Sequence, residues 1–265
     1  MVRHPCAKAP ICALFLRILQ LCHGCHFGAI FCANRSGFAA GVRHGGAPLP
    51  WLGLGEALPW ACEGQTFATF TPPEDGLYAI LPDAQRTADA LSLGMRCVQW
   101  RFKQDLSHLS PTQADALIDA LIDAGQGCHS RLFVNDHWRA LLGWVERRDD
   151  AQRRQRLQSP GTDLRLGLHL GQEDLLALSP EDQARLRRAV PHLMLGLSSH
   201  SLWELARAAG CGASYIACGP VRPTTTKDMP WLPQGSDNLR WWVTQAPVPV
   251  VAIGGLLTAD DVAEA

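Results

Sequence analysis

"VQWRFK", residues 98–103, carries the reading that decides the fold. Side chains along a strand alternate between faces, so Gln99, Arg101 and Lys103 share one side while Val98, Trp100 and Phe102 share the other. Taken alone, the stretch describes a strand with one wet face, which is common in antiparallel sheets. Its neighbours along the chain give it a different meaning.

Short apolar runs recur on both sides of it: "GLYAILP" (76–82), "RLFVND" (131–136), "LRLGLHLG" (164–171), "HLMLGLSSH" (192–200), "YIACGP" (215–220) and "VPVVAIGG" (248–255). Each reads as a strand. Between them lie segments of helical period. In "SPTQADALIDALIDAG" (110–125), Ser110 can cap the helix and Leu117, Ala120, Leu121 and Ala124 form a stripe. "SLWELARAAG" (201–210) stops at Gly210.

Repeated strand-helix alternation implies right-handed crossovers and a parallel sheet. Polar residues stand at the C-terminal end of nearly every strand, which suits an α/β fold of the (β/α)8 TIM-barrel type better than an open sheet with one switch point. Seven strands fit between residues 76 and 265, and the pattern stops inside the helix after the seventh. The barrel is therefore expected either to be truncated after strand seven or to close in another way. Residues 76–265 form the barrel domain in this reading, and residues 1–75 an irregular, poorly ordered N-terminal extension.

A chain of 265 residues with 47% hydrophobic content can bury the core of one large barrel or two small domains. Its 24 basic and 25 acidic residues leave a formal net charge of -1, without the global basic footprint of a nucleic-acid binder. Any anion site must be local.

Cys6, Cys12, Cys22, Cys25 and Cys32 crowd the N-terminal segment and the remaining cysteines are scattered, so no disulfide framework is visible and a reducing, cytoplasmic setting is expected. "CHGCH" (22–26) matches the C-x-x-C-H haem-attachment pattern and has ligands for zinc, but Gly- and Pro-rich sequence of little periodicity follows it, and an unstructured extension is the favoured reading. "ICALFLRILQLC" (11–22) is broken by Arg17, lacks a clean cleavage site and is too short to span a bilayer, so no membrane association is expected.

Asn135 and Asp136 end the third strand, and Gln172, Glu173 and Asp174 follow the fourth. Ser198, Ser199 and His200 end the fifth, "VRPTTTK" (221–227) follows the sixth, and Gly254 and Gly255 end the seventh. In a barrel these ends meet at one mouth. Strands there have one face inside the barrel and the other under helices, so Gln99, Arg101 and Lys103 no longer read as a harmless wet face. Two cations and an amide suit an anion with several oxygens, and the Arg fork matches phosphate well. Asp136 and Asp174 are each plausible helix N-caps. Beside a diphosphate cradle they instead point to Mg2+, which takes one or two carboxylates plus phosphate oxygens. His169 and His200 read as hydrogen-bonded structural histidines rather than as bases.

"VQWRFK", "FVND", "HLGQED", "GLSSHS", "GPVRPTTTK" and "VAIGG", in this order, resemble the motif series of the thiamine phosphate synthase and thiazole tautomerase family over residues 76–265. The resemblance implies a (β/α)8 barrel that joins hydroxymethylpyrimidine diphosphate to thiazole phosphate and releases pyrophosphate. Carried over by motif, Gln99, Arg101, Lys103, Asn135, Ser198 and Lys227 would hold the pyrimidine diphosphate. Asp136 and Asp174 would bind Mg2+, and Thr224, Thr226 and Gly255 would receive the thiazole phosphate. Arg101, Lys103 and Lys227 would stabilise charge on the departing diphosphate.

The implied partners are these small molecules, with no nucleic acid and no membrane; a homo-oligomer is compatible with the sequence. Three features depart from the family's pattern: Arg222 at a usually apolar position, the longer connection "ERRDDAQRRQRLQSPGTD" (146–163), read as a solvated helix plus loop, and the unfilled place of strand eight. A tautomerase-like paralogue and an inactive phosphate-binding fragment stand as alternatives.

Overall fold

The computed structural model describes residues 29–33, 67–159, 162–190, 192–224 and 232–264. The "CHGCH" stretch, the apolar run at 11–22, Thr226 and Lys227 lie outside them.

Seven parallel strands form the wall: β2 (Leu77–Leu81), β3 (Cys97–Trp100), β4 (Arg131–Val134), β7 (Arg165–Leu170), β8 (Met194–Ser199), β9 (Tyr215–Cys218) and β10 (Val250–Ala252). These are the seven strands read from the sequence, and their parallel neighbours follow chain order. The gap left for an eighth strand is filled by β1 (Ala29–Ala33), which pairs antiparallel with β10 on one side and β2 on the other, giving a closed barrel. Of the two outcomes left open by the sequence, closure by another route is the one found.

Residues just ahead of position 76 also pack on the barrel. Phe67 and Phe70, counted with the extension, are buried, and the 67–70 segment is held to the barrel by Ala68 N donating to Leu193 O at 3.0 Å and by Ser214 Oγ donating to Ala68 O at 2.7 Å.

Helices α1 (Ala84–Ser92), α2 (Pro111–Ala124) and α3 (Trp138–Glu146) cover the first crossovers, and α4 (Asp150–Leu157) continues into a short ribbon of β5 (Gln158–Ser159) and β6 (Thr162–Asp163). The charged 146–163 connection thus contains the expected helix, followed by a two-stranded ribbon where a loop was expected. Helices α5 (Gln172–Leu176), α6 (Pro180–Ala189), α7 (Leu202–Gly210), α8 (Gly235–Gln245) and α9 (Ala259–Glu264) complete the shell.

Helix α2 starts where the sequence placed it, with Ser110 and Gln113 forming a reciprocal capping box and Pro111 at the first helical position. Its buried stripe is Ile118, Leu121 and Ile122, while Ala120 faces solvent. The expected stripe was rotated by one position, because the larger apolar side chains take the core face.

Two apolar layers result from the alternation of strand side chains. Val98, Trp100, Leu132, Val134, Leu166 and Leu168 point outward under the helices. Tyr78, Cys97, Phe133, Met194, Tyr215, Ala217 and Val251 point inward with Phe70. Gly167 and Gly196 make room for two of the inward rings: a Cβ on Gly167 would lie 2.3 Å from Phe133, and one on Gly196 would lie 2.2 Å from Tyr215. Small residues opposite aromatic ones let a narrow barrel fill its interior without voids.

Candidate active site

The strand ends bring the polar residues to one mouth. Gln99 is buried inside the barrel, and its Nε2 donates to Asn135 Oδ1 at 3.0 Å; Asn135 Nδ2 in turn donates to His169 O at 3.0 Å. Three consecutive parallel strands are thereby tied together at the height where their side chains leave the barrel.

Arg101 continues the β3 ladder by donating its N–H to Leu81 O at 2.8 Å, and its side chain is half-exposed. Lys103 lies farther out, exposed, while Phe102 turns back to stack on Trp100 with ring centroids 6.0 Å apart. The alternation read from "VQWRFK" holds, even though regular strand ends at Trp100.

Asp136 follows Asn135 at the rim. It is open to solvent, yet desolvation by the packed strand ends is the largest influence on its carboxyl and raises its pKa above the ordinary carboxylate value. The positive charge of Arg101 opposes that shift, the negative charge of Asp174 adds to it, and His137 and Lys103 also oppose it. These influences place Arg101, Lys103 and Asp174 within electrostatic reach of Asp136.

Asp174 sits in the first turn of α5, where its Oδ2 accepts from Gly171 N at 3.1 Å. Neither carboxylate is an N-cap: Gly171 holds that place on α5, with Asp174 at the third helical position, and His137 holds it on α3. Among the described residues no three His, Cys, Asp or Glu side chains gather into a metal cluster. A pair of carboxylates, one of them destabilised by the other's charge, fits a hard divalent cation that completes its shell with water and phosphate oxygens. Zinc would demand more protein ligands.

Ser198 ends β8, half-buried, with Oγ 2.9 Å from His169 Nε2. His169 is buried, and its Nδ1 lies 2.6 Å from the Tyr215 hydroxyl. Burial pushes its pKa down to about 3, with a smaller contribution from the Arg101 charge, so the imidazole is neutral near pH 7. His200 is engaged elsewhere: its N and Nδ1 both lie against Glu204 Oε2, at 2.6 and 3.0 Å. Both histidines have the structural partners expected of them.

The opposite rim is formed by the β9 and β10 ends. Gly254 and Gly255 adopt φ of +84° and +74°, and a Cβ on Gly255 would lie 2.6 Å from Arg222 O. Only glycine allows this close approach of the two loops. Arg222 pairs with Asp261 at 3.2 Å, which accounts for a cation at an otherwise apolar position. Thr224 lies half-buried on the same loop.

Gln172, which the sequence placed at the mouth, is joined there by supporting residues that sequence reasoning did not single out: Arg207, Tyr78 and Tyr215. Gln172 Nε2 donates to Ser198 O at 2.7 Å, and the buried Arg207 donates to Gln172 Oε1 at 2.8 Å. Tyr78 and Tyr215 meet hydroxyl to hydroxyl at 2.6 Å. The signal for the tyrosines was present as inward parity on their strands, but nothing local distinguishes them from packing residues.

An α/β barrel whose strand ends gather cations, amides and a carboxylate pair at one mouth defines an enzyme site for an anionic small molecule. The family model described as Thiamine monophosphate synthase matches residues 77–265. The thiamine-phosphate synthase of Neisseria meningitidis serogroup A is 40% identical over 191 residues, covering 71% of this chain and 80% of that protein. The thiamine-phosphate synthase of Serratia proteamaculans is 36% identical over 187 residues, covering 70% and 75%. The solved thiamine phosphate pyrophosphorylase from Pyrococcus furiosus is 25% identical, with a TM-score of 0.47 over 69% of this chain and 75% of that one. The chain belongs to the thiamine monophosphate synthase family. No helix among the described residues is long and apolar enough to cross a membrane.

Proposed function

We propose that the chain condenses 4-amino-2-methyl-5-hydroxymethylpyrimidine diphosphate with thiazole phosphate, giving thiamine phosphate and pyrophosphate. The observation that carries this reading is the convergence of Arg101, Lys103, Asp136 and Asp174 at one mouth, in a chain whose relatives are named thiamine-phosphate synthases.

Arg101 and Lys103 bind the diphosphate, and Lys227 joins them from the β9–α8 connection. Gln99, Asn135 and Ser198 hold the pyrimidine side, while Thr224, Thr226 and Gly255 receive the thiazole phosphate. Asp136 and Asp174 hold Mg2+, which supplies charge neutralisation for the departing pyrophosphate.

As the bond between the pyrimidine methylene and the diphosphate oxygen breaks, negative charge grows on the leaving group. The guanidinium of Arg101 and the ammonium of Lys103 stabilise it from fixed positions. The thiazole nitrogen attacks with its own lone pair, so no base is required. That agrees with two histidines that are both engaged in structural hydrogen bonds. The apolar and amide-lined interior keeps water from the electron-poor methylene.

The test is thiamine phosphate formation by the purified chain with both substrates, with Mg2+ and with excess chelator. Product that depends on Mg2+ is expected. Turnover of the thiazole alone, without the pyrimidine diphosphate, would instead indicate a tautomerase.

A further inference from the structure

Tyr78, Tyr215, His169 and Ser198 form a continuous line of hydrogen bonds up the inside of the barrel, with successive contacts of 2.6, 2.6 and 2.9 Å. They come from β2, β9, β7 and the end of β8. Tyr78 and Tyr215 are fully buried and His169 is nearly so, whereas Ser198 is half-exposed at the mouth. Packing fixes the line: the Tyr215 ring occupies the space above Gly196, stacks on His169 with centroids 5.8 Å apart, and meets Phe133 edge-on at 5.0 Å.

A neutral imidazole carries one N–H, so if one ring nitrogen donates the other must accept. His169 therefore transmits a direction. If Tyr215 donates to Nδ1, the proton is on Nε2, it is given to Ser198, and the Ser198 O–H is turned to the mouth as a donor. If Nδ1–H donates to Tyr215, Nε2 accepts the Ser198 O–H, and the Ser198 oxygen faces the mouth as an acceptor. In the second arrangement Tyr215 spends its own proton on Tyr78.

We propose that Tyr215, backed by Tyr78, is a positioning residue that holds His169 in the Nδ1–H tautomer and so makes Ser198 an obligate acceptor for a donor group on the substrate. The direction rests on the function proposed above, because the pyrimidine of that reaction carries an amino group and an acceptor is what recognises it. The tyrosines touch no substrate. Their contribution is to set the hydrogen-bonding sense of a hydroxyl two contacts away.

Ring 15N NMR of the full chain, with the His169 signals assigned by their loss in His169→Gln, tests this without any substrate. The wild-type chain is expected to show a protonated Nδ1 and an unprotonated Nε2. In Tyr215→Phe the Nδ1–H loses its acceptor, and the proton is expected to move to Nε2. A wild-type Nε2–H tautomer, or an unchanged tautomer in a folded Tyr215→Phe, overturns the proposal, and the wild-type arm decides even if the variant does not fold.

The kinetic arm compares the aminopyrimidine diphosphate with an analogue bearing an oxygen in place of the amino group. Tyr215→Phe is expected to lower the kcat/KM preference for the amine by about tenfold, the size of one lost neutral hydrogen bond. Equal loss with both substrates would mean a packing role only and would also overturn it. Inactivity of the wild-type chain toward both would instead count against the proposed reaction, leaving the NMR result to judge the tautomer.

Discussion

Gln99 Nε2 donates to Asn135 Oδ1 across 3.0 Å, and this contact ties the strand end that carries Arg101 to the one that carries Asp136. The cation and the carboxylate are thus registered by a neutral amide pair beneath them. Asn135 also reaches His169 O, so a single side chain sets the relative height of β3, β4 and β7.

Asn135→Ala removes both contacts and leaves the Gln99 amide and the His169 carbonyl buried without them. Stability should fall by about 1–3 kcal/mol, measured by urea unfolding. KM for the pyrimidine diphosphate should rise as Arg101 and Asp136 lose their common register.

Asp136→Asn should separate stability from function. The carboxyl is raised mainly by desolvation, so its ionised form is disfavoured in the folded chain and its neutral form is not. Above the raised pKa the charge is a net cost, and it disappears as the pH falls below it. Without metal, the Asn variant should melt at a higher temperature than the wild type near pH 7. Added Mg2+ should raise the wild-type Tm and leave that of the variant unmoved, with Mg2+-dependent turnover lost.

His169 predicts an acid limb of stability. Its folded pKa is about 3 against an ordinary 6.5, so the unfolded chain takes up the proton first as the pH falls. Stability is complete above pH 6.5 and declines progressively toward pH 3, by up to about 1.4 kcal/mol for each pH unit. In His169→Gln the slope should be shallower, with the remainder carried by other groups such as His192, whose pKa is also lowered. Denaturant midpoints across this range would check it.

Gly167→Ala and Gly196→Ala should both destabilise, since the new methyl group meets Phe133 or Tyr215 well inside contact distance. Overpacking of this kind costs about 1–3 kcal/mol. Combining Gly196→Ala with Tyr215→Leu should recover part of the loss, which a thermal melt of the double variant would show.

Loss of Arg101 tests the charge argument. Arg101→Met keeps the length of the side chain while removing its fork, and turnover should fall by about 10² to 10³. Arg101→Lys should recover only part of it, because an ammonium cannot grip two oxygens in the plane of a fork.

The sequence alone determined the seven parallel strands, their order along the chain and the end at which their polar residues collect. Alternation in "VQWRFK" fixes which side chains enter the barrel, and residues that follow a parallel strand can only collect at its C-terminal end. These are local properties, carried by periodicity of two and by the turn that follows. Tertiary structure decided what joins distant segments. Closure by Ala29–Ala33 rests on backbone pairing, which leaves no mark in side-chain composition. The line from Tyr78 to Ser198 joins four strands, with Tyr78 and Tyr215 separated by 137 positions. Gly167 and Gly196 gain their meaning only from the rings they face. Contacts across a barrel depend on the register between strands, and register is settled by the packing of the whole interior.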